Sequence, residues 1–384
     1  MFSDVRIFDT TLRDGDQTPG VHYSPEQKVE IAKMLAEFGV ATVEAGFPAS
    51  SPAEQNAVAG VAREIRSCEV AALARCIPGD VDAAVDALRS AERPVIHVFL
   101  GSSDVHLSRK LGMSRAEALR AIDRSVRRAK NHVADVEYSA EDATRADRVF
   151  LRQCVETAIG AGATRVNLPD TVGCAMPSEY GAMIAEIVRF VEGAAIVSAH
   201  CHDDMGLATA NTVAAVQAGA RQVEVTVNGI GERAGNASLE QVAVILAMKG
   251  IAQTGLDLSR TMVLSQRVAE ATGIAIQPNR PIIGANAFAH ASGIHQDGII
   301  KEVENYQYVP PFLVGAGGHR LVLTARSGRK AVAHKAAALG FKLDESAVDR
   351  IYKAFIEVAD SSRGGVSDTE FAEIVNRSAR VSMS

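Results

Sequence analysis

The feature that most constrains this chain is an alternation. A short apolar run is followed by a longer segment with helical periodicity, and the pair recurs eight times before residue 255. The runs are "VRIFD", "ATVEAGF", "EVAALA", "PVIHVFL", "ADVEYS", "TRVNLP", "AIVSAH" and "RQVEVTV", and the helices after them are expected over 25–38, 53–66, 83–90, 114–131, 146–159, 177–191, 211–218 and 238–252. Strands of this kind alternating with helices predict parallel pairing. Eight such units in roughly 250 residues is the size of a (β/α)8 barrel. A doubly wound open sheet is the competing arrangement, and the lack of a GxGxxG after the first strand favours the barrel. The expected class is α/β, with a (β/α)8 TIM barrel over 1–258 followed by a small, mainly helical C-terminal unit. Beyond residue 255, "IQPNRPIIGANAF" and "YVPPFLVGAGGHR" are rich in proline and glycine. They mark a linker or subdomain over 259–310, and helical periodicity returns over 329–339, 345–359 and 368–376, within a helical subdomain over 311–384.

Composition excludes several classes of function. With 40 basic and 46 acidic residues, a net charge of −6 and no long run of one sign, nucleic acid and membrane surfaces are not expected partners. The five cysteines, Cys68, Cys76, Cys154, Cys174 and Cys201, form no CxxC pair and read as reduced, mostly buried thiols. No apolar run approaches the ~20 residues that span a membrane, and the N-terminus lacks the pattern of a secretory signal. A cytoplasmic location is expected.

The chemistry concentrates in "HCHDDMGLA", which follows the seventh apolar run. Strand residues two apart point to one side, so His200 and His202 present two imidazoles together while Cys201 faces away. In a barrel that position is the end of a strand, on the face where active sites lie. "DTTLRDGDQTPG" ends the first strand with Arg13, Asp14 and Asp16, and "NGIGERAGN" follows the eighth with Asn236. Closure makes the first and eighth strands neighbours, with the seventh next. Asp14, His200 and His202 can then share one divalent ion, with Asn236 as a further candidate ligand, and this mixed N/O set suits zinc, manganese or magnesium alike. Taken singly, each residue has a plainer use: Asp14 as a loop cap beside Thr11 or Thr18, Arg13 in a surface ion pair, the two histidines in ordinary hydrogen bonds.

The stretches "LRDGDQTPG", "EAGFPASSP", "VEYSAEDATRAD", "NLPDTVG", "HCHDDMGLATANTVAAVQAGA", "NGIGERAGNASLE" and "SGIHQDG" resemble the 2-isopropylmalate synthase and homocitrate synthase family, from about residue 4 to 340. The resemblance implies a metal-dependent barrel that condenses acetyl-CoA with a 2-keto acid and then hydrolyses the thioester. On that reading a metal chelated by the keto acid would polarise its carbonyl, and Arg13 would stabilise the developing alkoxide. It also implies that Glu141 orients acetyl-CoA or takes part in proton transfer, its plainer use being a cap on the following helix. His295 and Tyr306 are implied to assist deprotonation of the acetyl methyl. They fall outside the barrel and would reach over a barrel mouth, that of a partner subunit included, which implies a homodimer. Gly229, Gly231 and Gly235 match the stretch associated with acyl-CoA. Arg75, His97, Asn167 and Thr171 are the candidate contacts to the keto acid, His97 being equally readable as a core histidine.

Departures from the family pattern are Asp16 for the usual Glu, Asp203 for Asn, and Ala325–Arg326 for Lys-His before "SGR". Before Ser384 there is no counterpart of the leucine-sensing regulatory domain, so leucine feedback through it is not expected. The keto acid expected is a branched apolar one such as 2-oxoisovalerate. The alternatives are 2-oxoglutarate, as in homocitrate synthases, or an unusual acid such as a phosphonate-bearing one, with which Arg326 is compatible. From another class, a metal-dependent aldolase or lyase shares the Arg-Asp and HxH elements but does not need "NGIGERAGN" followed by "SGIHQDG".

Overall fold

The structure is a computed structural model and describes residues 3–380. Eight strands form a closed parallel barrel: β1 (Arg6–Asp9), β2 (Thr42–Glu44), β3 (Glu69–Arg75), β4 (Pro94–Gly101), β5 (Asp135–Glu141), β6 (Arg165–Asp170), β7 (Ile196–Cys201) and β8 (Gln222–Val225). Closure is made by β1 on β8, with Arg6 opposite Gln222 and Asp9 opposite Val225. That pairing rules out the open sheet. The helices α1 (Pro25–Phe38), α2 (Pro52–Glu64), α3 (Pro78–Ala87), α4 (Arg115–Lys130), α5 (Arg148–Ala161), α6 (Pro177–Val191), α7 (Ala208–Gln217) and α8 (Leu239–Met248) follow the strands in turn.

Local sequence sets the helix ends. Ser24 and Ser114 form capping boxes with Gln27 and Glu117, satisfying N-terminal N–H groups that have no partner in the helix. Four of the helices begin at proline, whose fixed φ suits a first turn. The expected helix over 83–90 in fact starts at Pro78. The one expected over 238–252 stops at Met248 because Ala252–Gln253 pairs in parallel with Ser3–Asp4.

The barrel interior is unusually polar. Arg165, 2% exposed, bonds Glu69 at 2.9 Å, Thr42 at 3.4 Å and Gln222 at 3.3 Å, and Gln222 in turn donates to both oxygens of Glu137. An isolated buried charge would be costly, and this mutual pairing offsets much of that cost.

The chain divides into two compact units, residues 1–276 and 277–384. The first extends past the expected boundary at 258 because of α9 (Thr261–Thr272), a helix hidden among Gly- and Pro-rich neighbours. Leu264 and Val268 are buried on it, and Arg267 pairs with Glu30 of α1 at 2.6 Å. The second unit contains a two-residue parallel pair, Ala289–His290 with Arg320–Leu321, and the helices α10 (Gly293–Lys301), α11 (Arg329–Ala338), α12 (Glu345–Ala359) and α13 (Asp368–Arg380). The expected break at 310 is crossed by that strand pair. The core of this unit gathers Val332, Ala336, Ile351, Phe355 and Phe371, with Phe355 and Phe371 edge to face.

At the end of β6, Asp170 holds the mouth loops. Its carboxylate accepts from the N–H groups of Cys174 and Ala175, both at 3.1 Å, and from Thr144 Oγ1 at 3.0 Å. Asp170→Ala leaves several buried donors unpaired and is expected to destabilise the fold by about 2–4 kcal/mol. The urea midpoint measures this, and Asp170→Asn should lose less.

Candidate active site

The C-terminal mouth of the barrel holds a cavity of about 270 Å³, lined by Arg13, Asp14, His97, Asn167, Thr171, His200, His202 and Glu141 together with Leu73, Phe99, Lys110, Ser139, Pro169, Glu224, Glu232 and Arg233. Asp14 sits in the turn after β1. His200 lies on β7, and His202 follows that strand and bridges to Asn236. Cys201 faces away from the cavity, buried near Tyr180 and Thr212. The two imidazoles are 4.9 Å apart between centroids, and Asp14 Oδ2 is 4.0 Å from His200 Nε2 and 3.7 Å from His202 Nε2. Ligand atoms of the three residues lie within 4.8 Å of one another. Donors that share one ion at ~2.1 Å sit up to ~4.2 Å apart.

The residues fit a cation electrically as well. Burial alone would raise the Asp14 carboxyl, but Arg13, the two histidines and the Asn236 amide outweigh it and hold it well below the usual carboxylate range. Burial and the neighbouring His200 push the His202 imidazole down to about 4, leaving it neutral. Asn236 Nδ2 donates to Asp14 Oδ1 at 2.8 Å, while its Oδ1 is buried with no partner. An acidic carboxylate, neutral imidazole nitrogen and an unpaired amide oxygen therefore meet at one point. Gly231 makes this approach geometrically allowed: a Cβ there would collide with Asn236 Nδ2 and lie 2.8 Å from Asp14 Oδ1. At Gly235, with φ +91°, a Cβ would strike the Gly229 carbonyl oxygen. The glycines thus serve the close packing of this loop behind Asp14 and Asn236.

Arg13 spans the site. Its Nε donates to Glu44 Oε2 and its Nη1 to Asp14 Oδ2, both at 2.6 Å, and its Nη2 is 3.9 Å from Glu224 Oε2. Glu44 also binds His97 Nδ1 at 2.7 Å, and His97 Nε2 meets Ser139 Oγ at 2.7 Å. Burial would lower the His97 imidazole, but Glu44 wins and it is pushed up to about 9. His97, Glu137 and Glu224 also cluster within 4.8 Å, but a protonated imidazole with both nitrogens engaged offers no lone pair to an ion. His97 is thus the satisfied histidine of the two readings, forming a wall of the cavity.

Of the remaining residues, Asn167 Nδ2 donates to Ser139 Oγ at 2.8 Å, and Thr171 Oγ1 accepts from the Asp142 N–H at 2.9 Å. Arg75 does not line the cavity. It ends β3, where Asp80 of α3 takes its guanidinium through two contacts, at 2.6 and 3.1 Å, and Phe47 lies 5.7 Å beneath it. Glu141 lines the cavity and caps nothing; Lys110 Nζ binds both its oxygens, at 2.7 and 2.9 Å. His295 and Tyr306 belong to the second unit, where their rings stack at 4.1 Å and 17°.

Sequence reasoning missed Glu44, Glu224, Lys110 and Arg233. The first two carried a signal, an acid inside an apolar strand run, which is uncommon unless it is paired. Lys110 sits in a short helix, His106–Leu111, between β4 and α4, and Arg233 in the loop after β8, positions where a cation is ordinarily solvated.

Comparison with known proteins identifies the family and the fold. Residues 4–268 match the HMGL-like family and residues 282–363 the homocitrate synthase post-HMGL domain-like family. The chain is 48% identical over 381 residues to the 2-isopropylmalate synthase of Caulobacter vibrioides, covering 98% of this chain and 73% of that one. It is 47% identical over 365 residues to the 2-isopropylmalate synthase of Pyrococcus furiosus, covering 94% and 73%. It is 50% identical over 361 residues to the probable 2-isopropylmalate synthase of Methanopyrus kandleri, covering 94% and 70%. Among solved structures, the hydroxymethylglutaryl-CoA lyase of Pseudomonas aeruginosa shares the fold, with TM-score 0.62 and 22% identity, covering 72% of this chain and 95% of that one. The chain belongs to the 2-isopropylmalate synthase and homocitrate synthase family, built on an HMGL-like barrel.

Proposed function

We propose that this protein condenses acetyl-CoA with a 2-keto acid in a Claisen reaction and hydrolyses the resulting thioester, with 2-oxoisovalerate as the keto acid and 2-isopropylmalate as the product. The observation that carries the reading is the meeting of Arg13, Asp14, His200 and His202 in one cavity, with Asn236 bonded to Asp14 behind it, in a chain whose relatives at 47–48% identity are named 2-isopropylmalate synthase. Asp14, His200 and His202, with Asn236 Oδ1 beside them, are the residues that would hold a divalent cation, of which manganese, magnesium and zinc all suit the donor set; the cation would supply Lewis-acid polarisation of the keto carbonyl. Arg13 has two of its nitrogens pinned by Glu44 and Asp14. Its third, Nη2, is left to donate to the oxygen on which charge develops, and because the guanidinium is already fixed it needs no reorganisation at that moment. Glu141, fixed by Lys110, is the carboxylate placed to orient the thioester or move a proton. The loop through Gly229, Gly231 and Gly235 is where we expect acyl-CoA to approach, and His295 and Tyr306, with the homodimer, take their roles in deprotonating the acetyl methyl from the family resemblance.

The cavity walls favour a branched apolar tail. Leu73, Phe99 and Pro169 line it, and the basic groups on the β3 to β5 side are already committed: Lys110 to Glu141, His97 to Glu44, and Arg75 to Asp80 outside the cavity. The second carboxylate of 2-oxoglutarate would need one of them released. No helix among the described residues is long and apolar enough to cross a membrane.

Release of free CoA thiol is expected with acetyl-CoA and manganese, fastest with 2-oxoisovalerate in a panel that includes 2-oxoglutarate, pyruvate and phosphonopyruvate. No thiol release with any acid, from protein that binds the ion, would return the lyase reading. His202→Ala should lose the metal by titration calorimetry while keeping the far-UV spectrum. Arg13→Met should retain the metal and lower kcat by about 10²–10³, the range for removing one preorganised donor.

A further inference from the structure

The barrel interior contains four buried or nearly buried glutamates on its strands, and three of them have donors. Glu44 accepts from Arg13 and Thr10, Glu69 from Arg165 and Thr42, and Glu137 from Gln222. Glu224 on β8 differs. It is 1% exposed, and neither of its carboxylate oxygens has a hydrogen-bond partner. What it faces is the ring of His200, whose Nδ1 lies 2.8 Å from Glu224 Oε2 with its N–H out of line. Arg13 Nη2, at 3.9 Å, is too far for a hydrogen bond. A carboxylate buried without donors is costly, and the His200 Nδ1 at 2.8 Å is already within reach of it.

His202 stands in the opposite field. Its Nδ1 is 3.1 Å from Arg233 Nη2, a group that can only donate, and Arg233 is itself held by Asp204 at 2.7 and 2.9 Å and by the Thr171 carbonyl at 2.7 Å. One imidazole is thus backed by an anion and the other by a cation. A carboxylate behind a ligating imidazole keeps the ring proton on the far nitrogen and makes the near one the stronger donor.

We propose that Glu224 is the positioning residue of His200: it holds the ring proton on Nδ1 and so keeps Nε2, the nitrogen that faces Asp14, as a lone-pair donor to the cation. The proposal rests on the reading of Asp14, His200 and His202 as ligands. His202 offers Nε2 to the cation only once its Nδ1 gives up the Arg233 contact, since a neutral ring that accepts at Nδ1 carries its proton on Nε2.

The test compares Glu224→Gln with Glu69→Gln, which removes from the same interior a carboxylate that bonds Arg165 and Thr42. Each full-length variant is titrated with manganese by calorimetry, and its thermal midpoint is measured without metal. Glu224→Gln is expected to weaken manganese binding 10- to 100-fold, and Glu69→Gln to leave it within about threefold. Manganese affinity within twofold of wild type in Glu224→Gln overturns the proposal, as does an equal loss in both variants, which would assign the effect to buried charge alone. If Glu224→Gln fails to fold, nitrogen-15 spectra of histidine-labelled wild type with zinc decide: a protonated Nδ1 and a metal-shifted Nε2 at His200 support the proposal, and the reverse tautomer overturns it. Undiminished manganese binding by His202→Ala would instead refute the underlying ligand reading.

Discussion

Closure of β1 onto β8 is the constraint on which the rest depends. Asp14 and Asn236 are separated by more than half the chain, and they touch because Arg6 to Asp9 run in register with Gln222 to Val225. The same closure puts β7 one strand away, so His200 and His202 arrive from the third element of one arc. Opened into a flat sheet, the first and last strands would lie at opposite edges and no shared site would form.

Inside that closed wall, charge is organised in a continuous network. Arg13 binds Glu44 and Asp14; Glu44 binds His97; His97 meets Ser139, which takes the Asn167 amide. Each group is desolvated, so each depends on its neighbours being in place. The consequence for function is preorganisation: Arg13 cannot swing away without leaving Glu44 and Asp14 unpaired. The departures from family pattern sit outside these bonds. Asp16 accepts from the Tyr23 N–H and lies 3.1 Å from Lys28 Nζ, and Asp203 accepts from the Ala208 N–H, so each shorter or altered side chain has found local partners.

Much of this was legible in advance. The alternation of apolar runs and helical periods specified the strands, since parallel strands buried on both faces read as continuous apolar segments. The HxH spacing specified that two imidazoles share one side. What periodicity hid was α9, a helix with only two buried aliphatic residues, Leu264 and Val268, lying between Gly- and Pro-bearing stretches, and the seam at 276. It also misdirected Arg75, because a strand-end arginine reads as facing the mouth whether or not a carboxylate on the next helix takes it. Asp80, five residues on, does so.

The sequence by itself determined the strand count, the class of fold and the identity of the ligand candidates, because these follow from local period and from residue chemistry. Only the tertiary structure decided which charge backs which histidine. Glu224 is marked locally only as an acid in an apolar run, which says it is paired but not with what, and Arg233 carries no local mark. Their roles come from barrel curvature, which turns β8 and its loop toward β7 and sets an anion against Nδ1 of His200 and a cation against Nδ1 of His202.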